Sequence, residues 1–300
     1  MKVQPLGKSE LEVSEIAFGC MSLPENSQEA EVIIDEAVSL GINYFDTADL
    51  YGHGKNEELV GRALKKHRDR IVLATKVGNE WSPETGDVSW NPTKSYITGQ
   101  VKESLRRLGT DTIDLYQLHG GMIEDNAEET VEAFEQLKRE GLIRAYGISS
   151  IRPNVIRRFL DMSAIDSNMM QYSLLDRRPE ELLDEIHAAG VSVVTRGTLA
   201  KGLLTGEALE RAALQDGYLS YSKDELFGTL KELLSVHSNL HALALHSVLS
   251  HDAVTSVVAG ASSRQQLRDT IQAYKTPVSA EQITEAKSLT KADRYDKHRD

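Results

Sequence analysis

Short apolar runs alternate with longer amphipathic segments along this chain. The runs are EIAFGC (15–20), INYFDTA (42–48), IVLATK (71–76), IDLYQLH (113–119), IRAYGIS (143–149), NMMQY (168–172), VSVVTRG (191–197) and SVVAGA (256–261). Each is short and nearly continuous in apolar or β-branched residues, as in strands buried on both faces. Between them, SQEAEVIIDEAVSLG (27–41) opens at Ser27 and closes on Gly41. TKSYITGQVKESLRRLG (93–109) opens at Thr93, after Pro92, and stops at Gly109. NAEETVEAFEQLKREG (126–141) opens at Asn126 and stops at Gly141. Ser, Thr and Asn caps and Gly stops mark helix boundaries. Repeated strand–helix units imply parallel strands joined by right-handed crossovers. Eight of them predict an α/β fold closed into a (β/α)8 TIM barrel. The alternative is an open doubly wound sheet, but AFGCMSLP after the first run lacks its G-x-G-x-x-G fingerprint. Residues 1–14 read as an N-terminal β-hairpin, KVQPL and LEV about the turn GKSE, placed to plug the barrel floor. The connection from Thr198 to about Ser222 reads as a long functional or mobile loop.

Composition narrows this picture. The 300 residues, 40% apolar and without a compositional linker, suit one barrel domain spanning 1–300. A net charge of −12 argues against a general nucleic-acid binder or a polybasic membrane anchor. Cys20 is the one cysteine, so no internal disulfide forms, which suits a reducing cytosol. No apolar leader opens the chain and no run of ~18 apolar residues occurs. A cytoplasmic protein with no nucleic-acid or membrane partner, a monomer or weak oligomer, is expected. The charged tail KADRYDKHRD is expected to fray or lie on the surface. The nine histidines form no H-x-H or H-E-x-x-H pattern, so no metal site is expected, and a G-x-S-x-G nucleophile elbow is absent.

In a (β/α)8 barrel the chemistry sits at the carboxyl ends of the strands. The polar residues there include Asp46 after the second run, Lys76 at the end of the third and His119 at the end of the fourth, with Tyr51 in the loop after the second. Singly, each has a plain structural reading: a cap, a rim aromatic, a surface lysine, a core histidine. Together they are complementary. A phenol is a weak acid, with a pKa of ~10. A neighbouring ammonium favours its ionised form and so eases loss of its proton. Asp46 would keep Lys76 charged and aimed, and His119 could orient a carbonyl oxygen. The set suits protonation of an oxyanion formed as hydride adds to a carbonyl. It supplies no hydride, so a nicotinamide cofactor would have to bind beside it.

Across roughly residues 3–274 the chain resembles the aldo-keto reductases, in the bacterial branch related to channel β-subunits and general-stress or sugar-type oxidoreductases. FDTADLYG, ATKVG, ESLRRLGTDTIDLYQLH, EGLIRAYGISS, QYSLLDRRPE, AKGLLTG and VVAGASSRQQL occur in that family's order. The resemblance implies a catalytic tetrad of Asp46, Tyr51, Lys76 and His119, and NADPH/NADP+ bound across the barrel mouth. It implies that the nicotinamide meets Ser149, Ser150 and Gln171, with Gly19, Cys20, Met21 and Asp46 alongside. The pyrophosphate would lie under Arg196, Gly197, Leu199, Lys201, Gly202 and Leu204. The adenine and 2′-phosphate would lie near Gly260, Ser262, Arg264, Gln266, Asp269 and Thr270. The substrate, a small carbonyl compound, would meet Tyr51, His119, Trp81 and Trp90. The chain departs from the family pattern at Ser150 and Thr270, each a usual Asn, and at Arg196, a usual stacking Tyr. The expected activity is NADPH-dependent reduction of aldehydes or ketones. The alternative is a cofactor-binding regulatory or redox-sensing subunit with little turnover. A barrel lyase or hydrolase without nicotinamide is a third reading.

Overall fold

The computed structural model describes residues 1–82 and 84–299; Asp300, the end of the expected tail, lies outside the described residues. Eight parallel strands close into a barrel: β1 (Ile16–Gly19), β2 (Tyr44–Asp46), β3 (Val72–Val77), β4 (Ile113–Leu118), β5 (Ile143–Ser149), β6 (Ser167–Gln171), β7 (Ser192–Arg196) and β8 (Val254–Gly260). All eight apolar runs are therefore strands. The barrel shuts where Val257–Gly260 of β8 pairs with Ile16–Gly19 of β1. The hairpin forms from Val3–Pro5 and Glu12–Ser14. Its Leu6, Leu11 and Val13 are buried against the barrel lining, among Ala17, Tyr44, Val72, Ala74, Leu115, Ala145, Met169 and Val194. The hairpin thus plugs the barrel as expected.

Successive residues of a strand face opposite sides of the sheet. Stepping by two from that buried lining toward the carboxyl ends reaches Gly19, Asp46, Lys76, Gln117 and His119, Ser149, Gln171 and Arg196. One alternation therefore fills the lower barrel with apolar side chains and its mouth with polar ones. The register sets their heights: Gly19 pairs with Asp46, Lys76 with Gln117, and Gln171 with Arg196.

Helices cover the outside: α1 (Ser27–Ser39), α2 (Lys55–Leu64), α3 (Lys94–Leu108), α4 (Ala127–Arg139), α5 (Pro153–Met162) and α6 (Glu180–Ala188). Then come α7 (Ala208–Ala213), α8 (Lys223–Val236), α9 (Leu240–Leu249), α10 (Arg264–Lys275) and α11 (Ala280–Ser288). Thr93 and Asn126 cap α3 and α4 through their side chains, and Gly109 takes the left-handed conformation that ends α3, φ +63°. The cap of α1 falls one residue earlier than expected. Asn26, whose carboxamide accepts from Gln28 and Glu29, displaces Ser27 into the first turn.

The span 198–222 is not a plain loop. It holds a 3-10 turn at Ala200–Gly202, helix α7 and a two-stranded ribbon, Gly217–Tyr218 with Tyr221–Ser222. The tail is docked rather than frayed. Tyr295 is buried under the Arg178 guanidinium, 5.0 Å from its ring centroid, and Arg299 pairs with Glu181 at 2.9 Å. Among the described residues no helix is long and apolar enough to cross a membrane.

Beneath the mouth, Glu57 of α2 is fully buried. It accepts from Thr75 of β3 at 2.6 Å and pairs with Arg107 of α3 at 2.6 Å. This pair joins two helices to the strand that carries Lys76. Asp49, also fully buried, accepts from Gln100 at 3.2 Å and is pushed up to about 7, by burial first and then by the nearby Glu57 charge.

Candidate active site

Lys76 and Asp46 form a buried ion pair, Nζ to Oδ2 2.6 Å, and the same ammonium donates to the Thr47 carbonyl at 2.8 Å. Gln117 reaches the other Asp46 oxygen at 3.4 Å. Burial works against the Lys76 charge. The Asp46 carboxylate, with the Tyr51 phenol, outweighs it and holds the ammonium above its usual range. The Lys76 ammonium lies 5.2 Å from the Tyr51 ring centroid, and the His119 ring meets Tyr51 edge-on at 5.9 Å. The four residues taken from the strand ends are thus one cluster.

The loop that carries Tyr51 is fastened at both ends. Tyr51 N–H donates to Ala48, and the Tyr51 carbonyl accepts from Asn56 N–H. Asn56 also binds the Thr47 hydroxyl at 2.6 Å and the Cys20 carbonyl at 2.9 Å. The chain reverses through Gly52, His53 and Gly54, all at positive φ.

Two electrostatic features shape the chemistry. The Tyr51 phenol is held above its ordinary value: burial dominates, and the downward pull of Lys76 only partly offsets it. Lys76 thus acts in the expected direction, and burial outweighs it. Tyr51 therefore keeps its proton near pH 7, with the Lys76 ammonium beside its ring. His119 is pushed down to about 3 by burial and then by the charges of Lys76 and Arg196. It is neutral near pH 7 and acts as a hydrogen-bonding group, not as a charge. Its Nδ1 is buried and without a partner among the described residues.

These groups face a cavity of about 600 Å³. Of the expected residues, Met21, Tyr51, Lys76, Trp90, His119, Ser149, Ser150 and Arg196 line it. The indole of Trp90 lies over Gly78 and Gly120, where an added Cβ would stand only 2.7 and 3.3 Å from the ring, and its N–H donates to Asp125 at 3.0 Å. Asn79, Gly120, Gly121, Met122, Ile151, Arg152 and Met169 also line the cavity and were not anticipated. The Gly-Gly pair directly after His119 and the Arg two residues past Ser150 were the available signals.

Several expected residues lie elsewhere. Trp81 stacks on His53 at 5.7 Å and under Arg107 at 5.8 Å, outside the cavity wall. The two tryptophans lie on a separate two-stranded ribbon, Asn79–Trp81 with Val88–Trp90, and its register explains the difference: Trp90 pairs with Asn79 at the base, whereas Trp81 sits two residues further out. Cys20 is fully buried, its thiol pushed up chiefly by burial, and it does not line the cavity. Thr270 is buried too and returns its hydroxyl to the Gln266 carbonyl at 3.0 Å.

The others sit along the rim of β6–β8. Gln171 accepts from Arg196 at 3.2 Å and donates to Asp176 at 2.9 Å. Gly197, Ala200, Lys201 and Gly202 all have positive φ, in a turn that also contains Leu199 and the fully buried Leu204. Gly260 comes so close to Ser22 that a Cβ would lie 2.5 Å from its hydroxyl. Ser262 donates to Gln266, and Asp269 accepts from Gln265. Arg264 and Arg268, each about half exposed, share Glu36 of α1.

The barrel with this cluster at its mouth defines a family. The model of the "Aldo/keto reductase family" matches residues 15–291, and the chain belongs to that family. It is 52% identical, over the whole of both chains, to the "Uncharacterized oxidoreductase YqkF" of Bacillus subtilis (strain 168). It is equally close to a solved structure, the holo form of aldo-keto reductase AKR11C1 from Bacillus halodurans, with 53% identity, a TM-score of 0.96 and full coverage of both chains. More distantly, it is 29% identical to the "NADH-specific methylglyoxal reductase" of Escherichia coli (strain K12), over 97% of this chain and 99% of that one. The chain is an oxidoreductase closely related to the AKR11C1 and YqkF proteins.

Proposed function

We propose that the protein reduces aldehydes or ketones to alcohols at the expense of NADPH, with Tyr51 as the proton donor. The observation that carries this reading is the cluster itself: the Tyr51 phenol, the Lys76 ammonium and an uncharged His119 face one cavity, with Asp46 buried behind Lys76. When bound, the nicotinamide supplies the hydride. The residues of the chain do the rest. His119 and the Tyr51 hydroxyl hold the carbonyl oxygen of the substrate, and this fixes its orientation. Charge developing on that oxygen is met by the Tyr51 proton, and the resulting phenolate by the Lys76 ammonium. Asp46 keeps that ammonium charged and in place.

The rim of β6–β8 is chemically suited to a phosphorylated dinucleotide. It offers the left-handed turn 197–202, the Lys201 and Arg196 cations, and the half-exposed Arg264 and Arg268 at the start of α10. Arg264 and Arg268 are the groups that would favour a 2′-phosphate, and so NADPH over NADH. The Escherichia coli relative is named for NADH specificity, so the preference needs its own measurement.

The test is steady-state oxidation of NADPH, and separately of NADH, with short-chain, aromatic, sugar-derived and α,β-unsaturated aldehydes. Turnover with NADPH is expected. Tight NADPH binding with no turnover on any member would favour the regulatory alternative instead.

A further inference from the structure

The chain carries net charge −12, yet among the described residues no Asp or Glu lines the active-site cavity, while three cationic side chains do: Lys76, Arg152 and Arg196. Lys76 is neutralised by Asp46. Arg196 turns toward β6, donating to Gln171. Arg152 reaches the other way, across to the loop after β4, where it donates to the Gly121 carbonyl. Among the described residues it has no carboxylate in ion-pair range. Its neighbours on α5 differ: Arg157 pairs with Glu185 and Arg158 with Glu128, both at 3.1 Å. Arg152 also occupies the cap position of α5, so the positive end of that helix adds to its field.

Resting on the carbonyl-reductase reading above, we propose that Arg152 is a specificity-determining residue and that the preferred substrates carry a carboxylate as well as the reacting carbonyl. Arg152 lies on the β4–β5 side of the mouth, with His119, Gly120 and Gly121, away from the β6–β8 rim assigned to the dinucleotide. A substrate that presents its carbonyl to Tyr51 and His119 lays its carbon skeleton against Trp90, Met122 and Met21 and brings its far end to the guanidinium. The planar fork of an arginine matches a carboxylate better than any neutral group, and one partnered N–H leaves the rest available.

The test compares 4-carboxybenzaldehyde, benzaldehyde and a 4-trimethylammonium benzaldehyde as substrates, with benzoate as a non-reacting probe titrated against tryptophan fluorescence in the presence of NADP+. Wild type should prefer the carboxylate over benzaldehyde by ~10-fold or more in kcat/KM, with the cationic aldehyde poorest. The preference should shrink as salt is raised. In Arg152→Met it should largely vanish, through KM rather than kcat, and benzoate affinity should fall ~10-fold. Arg152→Lys should restore part of both. If wild type shows no preference, or if Arg152→Met lowers all three aldehydes equally, Arg152 only braces the Gly121 loop and the proposal is overturned. Benzaldehyde reduced without a carboxylate preference defeats this proposal alone. No reduction of any aldehyde defeats the carbonyl-reductase reading along with it.

Discussion

At the residue scale, the site depends on which charges are buried and what faces them. Asp49, two residues before Tyr51, illustrates this. It binds a proton in the folded protein up to about pH 7, whereas the unfolded chain has released that proton by pH ~4. Folding therefore takes up a proton in this window, and Asp49 withdraws stability as pH rises through it. Asp49→Asn should be more stable than wild type at pH 8, by up to ~4 kcal/mol, with the gap closing toward pH 4. Urea unfolding at a series of pH values checks this; a gap independent of pH would contradict it. Arg196 makes a second case. It lies on the cavity wall, bonded to Gln171, where relatives of this family are expected to carry a tyrosine. A cation there would disfavour a positively charged oxidised nicotinamide bound beside it, relative to the neutral reduced one. Two charges ~6 Å apart at an effective dielectric of ~20 repel by ~3 kcal/mol, less where solvent enters. Arg196→Tyr should narrow the ratio of NADPH to NADP+ affinity, measured by titration at fixed ionic strength. An unchanged ratio would show that Arg196 serves another part of the site.

At the element scale, the residues stay in place because helices and strands are tied together below the mouth. The Glu57–Arg107 pair is the clearest tie, since both side chains are almost wholly buried. Removing one partner of such a pair leaves an uncompensated charge and costs ~3–5 kcal/mol. Arg107→Met should lose stability on that scale, and adding Glu57→Gln should recover part of it, read from the midpoint of urea unfolding. A loss under ~1 kcal/mol would mean that Glu57 takes up a proton or another partner. The strands were readable in the sequence because parallel barrel strands are continuous apolar runs, and Gly109 and Gly141 closed helices that ended where expected. The segment after Thr198 was not. Strands of two residues have no period to detect, and α7 is barely more than a turn and a half long. Nor could spacing alone tell that Trp90 would reach the cavity and Trp81 would sit beyond it, because that follows from the pairing of their ribbon.

At the scale of the whole molecule, the barrel converts one alternation into a site. Positions two or four residues beyond the buried lining come together at the mouth from every side, although they lie as far apart in sequence as Gly19 and Arg196. That convergence is why Asp46, Lys76 and His119 could be grouped before any contact was known. Arg152 escaped the same reasoning because it lies past the end of β5, in the turn into α5, where strand alternation no longer says which way a side chain points. The central claim is that the phenol in this cluster is the proton donor, and Tyr51→Phe removes that proton while keeping the ring. NADPH affinity and the rate of aldehyde reduction should be measured on the same preparation of the variant. The account predicts that affinity stays near the wild-type value while turnover falls by ~10²-fold or more. Turnover close to wild type, with the cofactor bound, would take Tyr51 out of the mechanism.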